Sequence, residues 1–266
     1  MIKKVTIAIL VFSGFFITAF SFGNRNLAPK MMSAQPDGMK EQATSFVVLE
    51  LFTSQGCSSC PAADVLLEKM KQKYPENVYA LSYHVDYWNY IGWEDPFSRS
   101  EHTEKQGRYN KKFGYRGNYT PEVVVNGKNH FVGSDARKMQ HAVATYGQDE
   151  GANSIRLSDI GITDKKVDFR YFVTGTVANK KIRTVLVLDK RVTDVKRGEN
   201  RNRTVTNSNI VVSENQWNLE KDEGTGAIAI PDIVEKDELL YLMVLISNAK
   251  DEITGAAKVA LQNSTI

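Results

Sequence analysis

The chain has 266 residues, with 34 Lys and Arg against 31 Asp and Glu, a formal net charge of +3 and 42% hydrophobic residues. Loss of residues 1–23 would take away Lys3 and Lys4 and no acids, so the net charge of +3 falls by two to +1. A near-neutral chain gives no electrostatic case for binding nucleic acid or an anionic membrane surface, and about 240 remaining residues set two domains as the prior.

Met1-Ile-Lys-Lys4 precedes an uncharged apolar run from Val5 to about Phe22, with small residues at Ala19, Ser21 and Gly23. This is the pattern of a secretory signal cut after Ser21 or Gly23. The alternative is an uncleaved membrane anchor over residues 5–22, since the run nears bilayer-spanning length. Either form expects a periplasmic or secreted location, where disulfides persist. Residues 24–43, polar and with two prolines, read as a flexible linker.

From residue 44 to 148 strands and helices alternate. Ser45-Phe-Val-Val-Leu-Glu-Leu-Phe52 is an apolar run of strand length, and Pro61 to Lys71 carries apolar residues at helical spacing. Val78–Val85 is a second strand. Ser98 to about Phe113 reads as a polar helix with Ser98 or Ser100 as N-cap. Pro121–Asn126 and His130–Val132 flank Asn126-Gly127, a type I′ hairpin signal, and Ser134-Asp135 caps a last helix. The order β-α-β-α-β-β-α is that of a thioredoxin-like α/β domain.

From Ala152 the pattern changes. Ser154–Ile162, Val167–Val177, Ile182–Val195, Thr204–Ser213, Thr225–Ile230, Leu239–Ser247 and Gly255–Leu261 read as short strands between turn residues. Such spacing without helices argues for an all-β antiparallel sandwich domain over 152–264, with the boundary at Gln148–Ala152.

Cys57 and Cys60 are the only cysteines in the chain. They stand as Cys57-Ser58-Ser59-Cys60-Pro61 between the first strand and the first helix, and strand, C-x-x-C, helix is a redox signature. At a helix N-terminus the free amides and the dipole favour a thiolate, which makes Cys57 the attacking thiol. Cys60 is then the resolving thiol. An inert staple explains the pair poorly, because so short a loop removes little unfolded-state entropy. A structural zinc site wants four ligands, and one C-x-x-C is present.

The first two strands are joined by a helical crossover and should be parallel. Their C-terminal ends, at Cys57 and at His84-Val-Asp-Tyr-Trp88, share one sheet edge. An antiparallel third strand brings Thr120-Pro121 back to that edge. In the expected fold Pro121 is cis, and Thr120 presents its backbone to an extended partner segment. His84 is a candidate to tune the thiolate, shuttle a proton or act as a third metal ligand; the bland alternative is a hydrogen-bonded structural histidine. Asp86 is a candidate base for Cys60, or an ordinary turn residue. Trp88 and Trp93 border the following loop as partner surface or core. Lys196–Arg203 reads as a solvated basic hairpin tip, with docking of an acidic partner as its functional alternative. Asn118, Asn202 and Asn263 head N-x-S/T sequons.

Three blocks carry a resemblance: Phe52-Thr-Ser-Gln-Gly-Cys-Ser-Ser-Cys-Pro-Ala-Ala-Asp64, His84–Trp88 with Gly92–Pro96, and Tyr119–Gly127. With Val132–Asp135 and Arg197-Gly-Glu-Asn200, they resemble the secreted domain-of-unknown-function family numbered twelve twenty-three. The resemblance implies a thioredoxin-like fold and export, and supplies no reaction. Against thioredoxin proper, Ser58-Ser59 replaces Gly-Pro, no tryptophan precedes Cys57, and Pro61 follows Cys60 directly.

The resulting expectation is an exported thiol-disulfide oxidoreductase without a diffusible cofactor. It acts on a protein thiol or disulfide substrate and is recycled by a redox partner. Two alternatives stand beside it: a Cu(I) chaperone using Cys57, Cys60 and His84, in which copper is the bound metal, and a redox-inert binding module. Membrane contact is expected only through an uncleaved N-terminal segment.

Overall fold

The computed structural model describes residues 45–261. The leader over 1–23, the linker over 24–43 and residues 262–266 lie outside them. Every residue of β1 (Val47–Thr53) is buried. A run with no solvent face takes an interior place in a sheet covered on both sides. Accordingly β1 pairs in parallel with β2 (Val78–His84) and antiparallel with β3 (Glu122–Val125).

Between β1 and β2, α1 (Cys60–Lys73) buries Ala63, Leu67 and Met70 against one face of the sheet. Pro61 stands in its first turn, where a missing N–H costs no helix bond. Lys71 and Lys73 occupy the last turn, near the negative end of the dipole. On the opposite face lies α2 (Ser100–Phe113), whose Tyr109 packs with Val48, Phe52 and Tyr83. Neither Ser98 nor Ser100 caps it. Arg99 is the N-cap, held extended by its bridge to Val85 and by its N–H donating to His84 O at 3.1 Å. Tertiary pairing decided that boundary.

β3 and β4 (Asn129–Val132) form the expected hairpin. Asn126 and Gly127 both have positive φ, 48° and 64°, as a type I′ turn requires. Packing also demands the glycine, since a Cβ there would stand 2.1 Å from Asp251 O. The Asp135 carboxylate caps α3 (Ala136–Tyr146), accepting from the N–H groups of Arg137 and Lys138.

The second half supplies β5 (Ser154–Thr163), β6 (Lys166–Thr174), β7 (Lys181–Val195), β8 (Arg203–Asn218), β9 (Glu223–Ala229), β10 (Leu240–Ser247) and β11 (Ile253–Leu261). All seven strands lie close to where the sequence places them.

The expected fold class, an α/β thioredoxin-like domain followed by an all-β antiparallel sandwich domain, is overturned by the sheet topology. The described residues are mostly β, with three α-helices, and eight strands form one mixed sheet in the order β11-β10-β7-β8-β2-β1-β3-β4. The other three form a second sheet, β5-β6-β9. The join is β8 against β2: Ile210 pairs with Ser82 in parallel, and Ser82 Oγ donates to Ser208 O at 2.8 Å.

The physical reason is that β2, buried along its whole length, would otherwise be an edge strand with unpaired backbone groups. β7 and β8 are apolar on both faces at their centres. Ile182, Leu186, Leu188, Ile210 and Val212 pack against Ile155, Phe169 and Ile228 of the smaller sheet. Val185, Val187 and Val211 pack with Phe52, Leu81 and Tyr83 of the first half. One hydrophobic core therefore crosses the boundary that the change of periodicity suggested.

Charge reinforces the seam. Glu50 of β1 is fully buried, and accepts from Arg183 Nη1 of β7 at 2.8 Å and from Tyr109 OH at 2.7 Å. Lys105 Nζ lies 3.7 Å from Glu50 and 2.7 Å from Glu214 of β8, which also accepts from Tyr83 OH at 2.5 Å. Burial pushes the Glu50 carboxyl up, but Arg183 and Lys105 outweigh it and hold Glu50 below the ordinary carboxylate range.

Candidate functional site

Cys57 and Cys60 are joined by a disulfide, with Cα atoms 5.5 Å apart. The two residues are 1% and 0% exposed, whereas Ser58 and Ser59 between them face solvent. The loop Ser54–Ser59 folds as a tight turn, with Cys57 N–H donating to Ser54 O at 3.2 Å and Cys60 N–H to Cys57 O at 3.3 Å. The helix begins at Cys60, with Ser59 as its N-cap. Cys57 thus sits in the turn ahead of α1, and Cys60 is the residue at the helix start. Ser59 Oγ lies 3.3 Å from Cys57 Sγ.

The Thr120-Pro121 bond is cis, as the sequence reading expects. Trp88 ties this segment to the loop after β2 by donating from Nε1 to Thr120 Oγ1 at 2.7 Å. That loop is tied in turn to the cysteine turn: Gln55 N–H donates to Asp95 Oδ2 at 2.8 Å, and Trp93 Nε1 donates to Gln55 Oε1 at 3.1 Å.

His84 is fully buried, with Nδ1 2.7 Å from Asp95 Oδ2. Burial disfavours a charged imidazole, but Asp95 and then Asp64 outweigh it, so the His84 pKa is raised. Burial likewise opposes a charged Asp95; His84 and the N–H groups of Gln55 and Phe97 prevail and hold its carboxyl low. Each member of the pair thus favours the charged form of the other in a closed site. Nδ1 of His84 is taken by Asp95, and among the described residues no group of three or more His, Cys, Asp or Glu side chains is spaced to hold a metal ion. Asp86 is engaged elsewhere, accepting from Thr103 Oγ1 of α2 at 2.5 Å.

A fourth segment completes the site, from the tip between β7 and β8. Asn200 is fully buried, and its Nδ2 donates to Gln55 O and to Cys57 O, each at 2.9 Å. Glu199 Oε2 accepts from Ser58 N–H at 2.9 Å, a contact that holds the Glu199 carboxyl low. Gly198 has φ +74° and lies against Ile91, where a Cβ would come within 2.8 Å. Further along, Asn207 Oδ1 accepts from Gln55 Nε2 at 3.0 Å. The tip is solvated at Lys196, Arg197 and Arg201, as read from the sequence, but its Asn200 closes over the cysteine turn.

Beneath Cys60, one helical turn on, lies Asp64, which is 5% exposed. Its Oδ2 accepts from Thr53 Oγ1 at 3.2 Å. Burial lifts its carboxyl to about 7, against the opposing pull of His84 and Thr53. Sequence reasoning singled out none of Gln55, Asp64, Asp95, Glu199, Asn200 and Asn207 as functional. Five of them stand inside the motif blocks quoted above. Nothing in local sequence places them in contact across as many as 152 positions.

Residues 48–246 match the model of DUF1223, described as a protein of unknown function. A crystal structure of a protein from Agrobacterium tumefaciens is 28% identical, covering 85% of this chain and 97% of that one, with a TM-score of 0.59. A DUF3823 family protein from Bacteroides ovatus is 15% identical over 41% of this chain and 54% of its own, with a TM-score of 0.25. Among curated proteins, none matches the chain.

Proposed function

The chain belongs to the DUF1223 family of proteins of unknown function, and on that premise we propose that it is an exported thiol-disulfide oxidoreductase. Cys57 attacks, Cys60 resolves, and Thr120-Pro121 receives the partner's backbone. The observation that carries this reading is the placement of the only cysteine pair. Its disulfide stands at the start of α1, with the His84–Asp95 pair and the Trp88–Thr120 contact built around it. A bond needed only as a staple would do little in so short a loop.

The lysine-flanked apolar leader supports action outside the cytoplasm. A protein thiol or disulfide is the substrate, and a second redox protein returns the dithiol to its starting state. Ser58 and Ser59 are the exposed face that such a partner meets first. Asn200 holds the Cys57 carbonyl and the sulfurs are enclosed, so release of the β7–β8 tip is the step that opens the disulfide to a partner thiolate.

The reduction potential of the pair tests this, by equilibration against glutathione buffers with alkylation and mass readout. A reversible potential between about −270 and −120 mV supports catalysis. A value well below about −300 mV makes the bond structural and favours a redox-inert binding module. A pair that resists oxidation while copper copurifies, and loses copper on replacement of Cys57, Cys60 or His84, establishes the Cu(I) reading instead.

A further inference from the structure

Two buried polar atoms near the dithiol have no hydrogen-bond partner among the described residues: Oδ1 of Asp64 and Nε2 of His84. Buried polar atoms are normally paired, and an exception in a native structure needs an explanation. Here the two exceptions stand side by side in chemistry, one a carboxyl oxygen and the other an imidazole nitrogen. Asp64 is also four residues after Cys60 on α1, a spacing that places both side chains on one helix face, about 5–6 Å apart at Cβ. Both residues are buried, with Cys60 at 0% exposure.

We propose that Asp64 is the proton acceptor for the Cys60 thiol, with the His84–Asp95 pair positioned behind it to hold the resulting change of charge. The inference rests on the oxidoreductase reading and assigns a role that reading leaves open. Asp86, the acid nearest in sequence to His84, is held by Thr103 and does not compete for it.

The Cys57 thiolate attacks a partner disulfide, forming a Cys57–partner mixed disulfide and releasing one partner thiolate. The Cys60 thiol gives its proton to the Asp64 carboxylate, and the Cys60 thiolate attacks Cys57 sulfur. The Cys57–Cys60 bond forms, the Cys57–partner bond breaks, and the second partner thiolate leaves and takes up the proton from Asp64. The two cysteines are oxidised by two electrons and the partner disulfide is reduced by two. In the opposite direction the same carboxyl returns the proton to Cys60.

The groups facing Asp64 come from every packed element: Thr53 from β1, His84 from β2, Asp95 from the following loop and Asn207 from β8. Thr53 donates a hydrogen bond to the carboxylate, and Asn207 also favours the charged form. Asp95 opposes ionisation and His84 supports it. A group so placed exchanges a proton near neutral pH, the range where general acid-base transfer is most effective.

The reduced protein, mixed with 5,5′-dithiobis(2-nitrobenzoate), tests the assignment by rapid absorbance. Attack by Cys57 releases a first thionitrobenzoate, and resolution by Cys60 releases the second. In Asp64→Asn the first release should keep its rate. The second should slow by about a hundredfold at pH 7, with its pH midpoint moved into the ordinary thiol range. Thr53→Val keeps the carboxyl but removes a donor to its charged form, so the midpoint of the second release should rise. A second release with unchanged rate and midpoint in both variants overturns the assignment. No first release from the reduced wild-type protein would overturn the oxidoreductase reading, and this inference with it.

Discussion

Replacing Asn200 by alanine should make the disulfide far easier to reduce without altering the cysteines. Asn200 Nδ2 donates to the carbonyls of Gln55 and Cys57, each at 2.9 Å, from a fully buried side chain. Cys57 O retains a second donor, the Cys60 N–H at 3.3 Å. Gln55 O loses its side-chain partner inside a closed site. An unsatisfied buried carbonyl costs about 1–3 kcal/mol, and loss of the second bond adds about 0.5–1.5 kcal/mol. The closed arrangement therefore weakens by about 2–4 kcal/mol relative to one in which water reaches both carbonyls. With sulfurs as enclosed as these, a thiol reductant acts on the opened form. The rate of reduction at a fixed excess of dithiothreitol should then rise about 30- to 700-fold, at a factor of ten per 1.4 kcal/mol. The assay is alkylation of the released thiols at timed intervals, with a urea titration of each protein to separate local from global opening. A rate within threefold of wild type, at unchanged global stability, would refute the claim that the β7–β8 tip gates the dithiol.

Two further outcomes follow from buried charge. Arg183→Met leaves Glu50 buried with Lys105 at 3.7 Å and the Tyr109 hydroxyl at 2.7 Å, and should cost about 3 kcal/mol in urea denaturation; adding Glu50→Gln should recover most of the loss, and a single variant within about 0.5 kcal/mol of wild type would remove the pair from any account of how the halves are held. Asp64→Asn should stabilise the protein above neutrality. The carboxyl is raised from 3.8 to about 7 in the folded state, so its ionisation opposes folding. That penalty is absent below pH 3.8, grows as pH rises towards 7 and levels off above it, which gives the variant up to about 4 kcal/mol at pH 8 and none at pH 3.5. Urea midpoints at the two pH values check the sign, and equal midpoints at pH 8 would show that the Asp64 carboxyl ionises as readily in the folded protein as in the unfolded chain.

Much of the local structure was legible. Asn126-Gly127 declared the β3–β4 turn because two adjacent positive φ values are cheap for that pair, and Asp135 declared the start of α3 because a carboxylate satisfies its free N–H groups. The apolar runs placed all seven strands of the second half. Arg99 shows the limit: two serines with the right capping chemistry were passed over because the backbone before α2 is held by Val85 and His84.

The site divides along the same line. By itself the sequence determined the pair Cys57 and Cys60, the helix that follows them, and the return of Thr120-Pro121, since turn chemistry and periodicity are properties of neighbouring residues. Only the tertiary structure decided that β8 pairs with β2 and that the two halves share one sheet and one core. It alone decided that Asn200 bonds the Cys57 carbonyl and that Asp64 meets the field of His84 and Asp95. The reason is that an edge strand's partner, a buried amide's acceptor and a carboxyl's dielectric surroundings are supplied by residues far along the chain, and no local pattern specifies which distant segment will supply them.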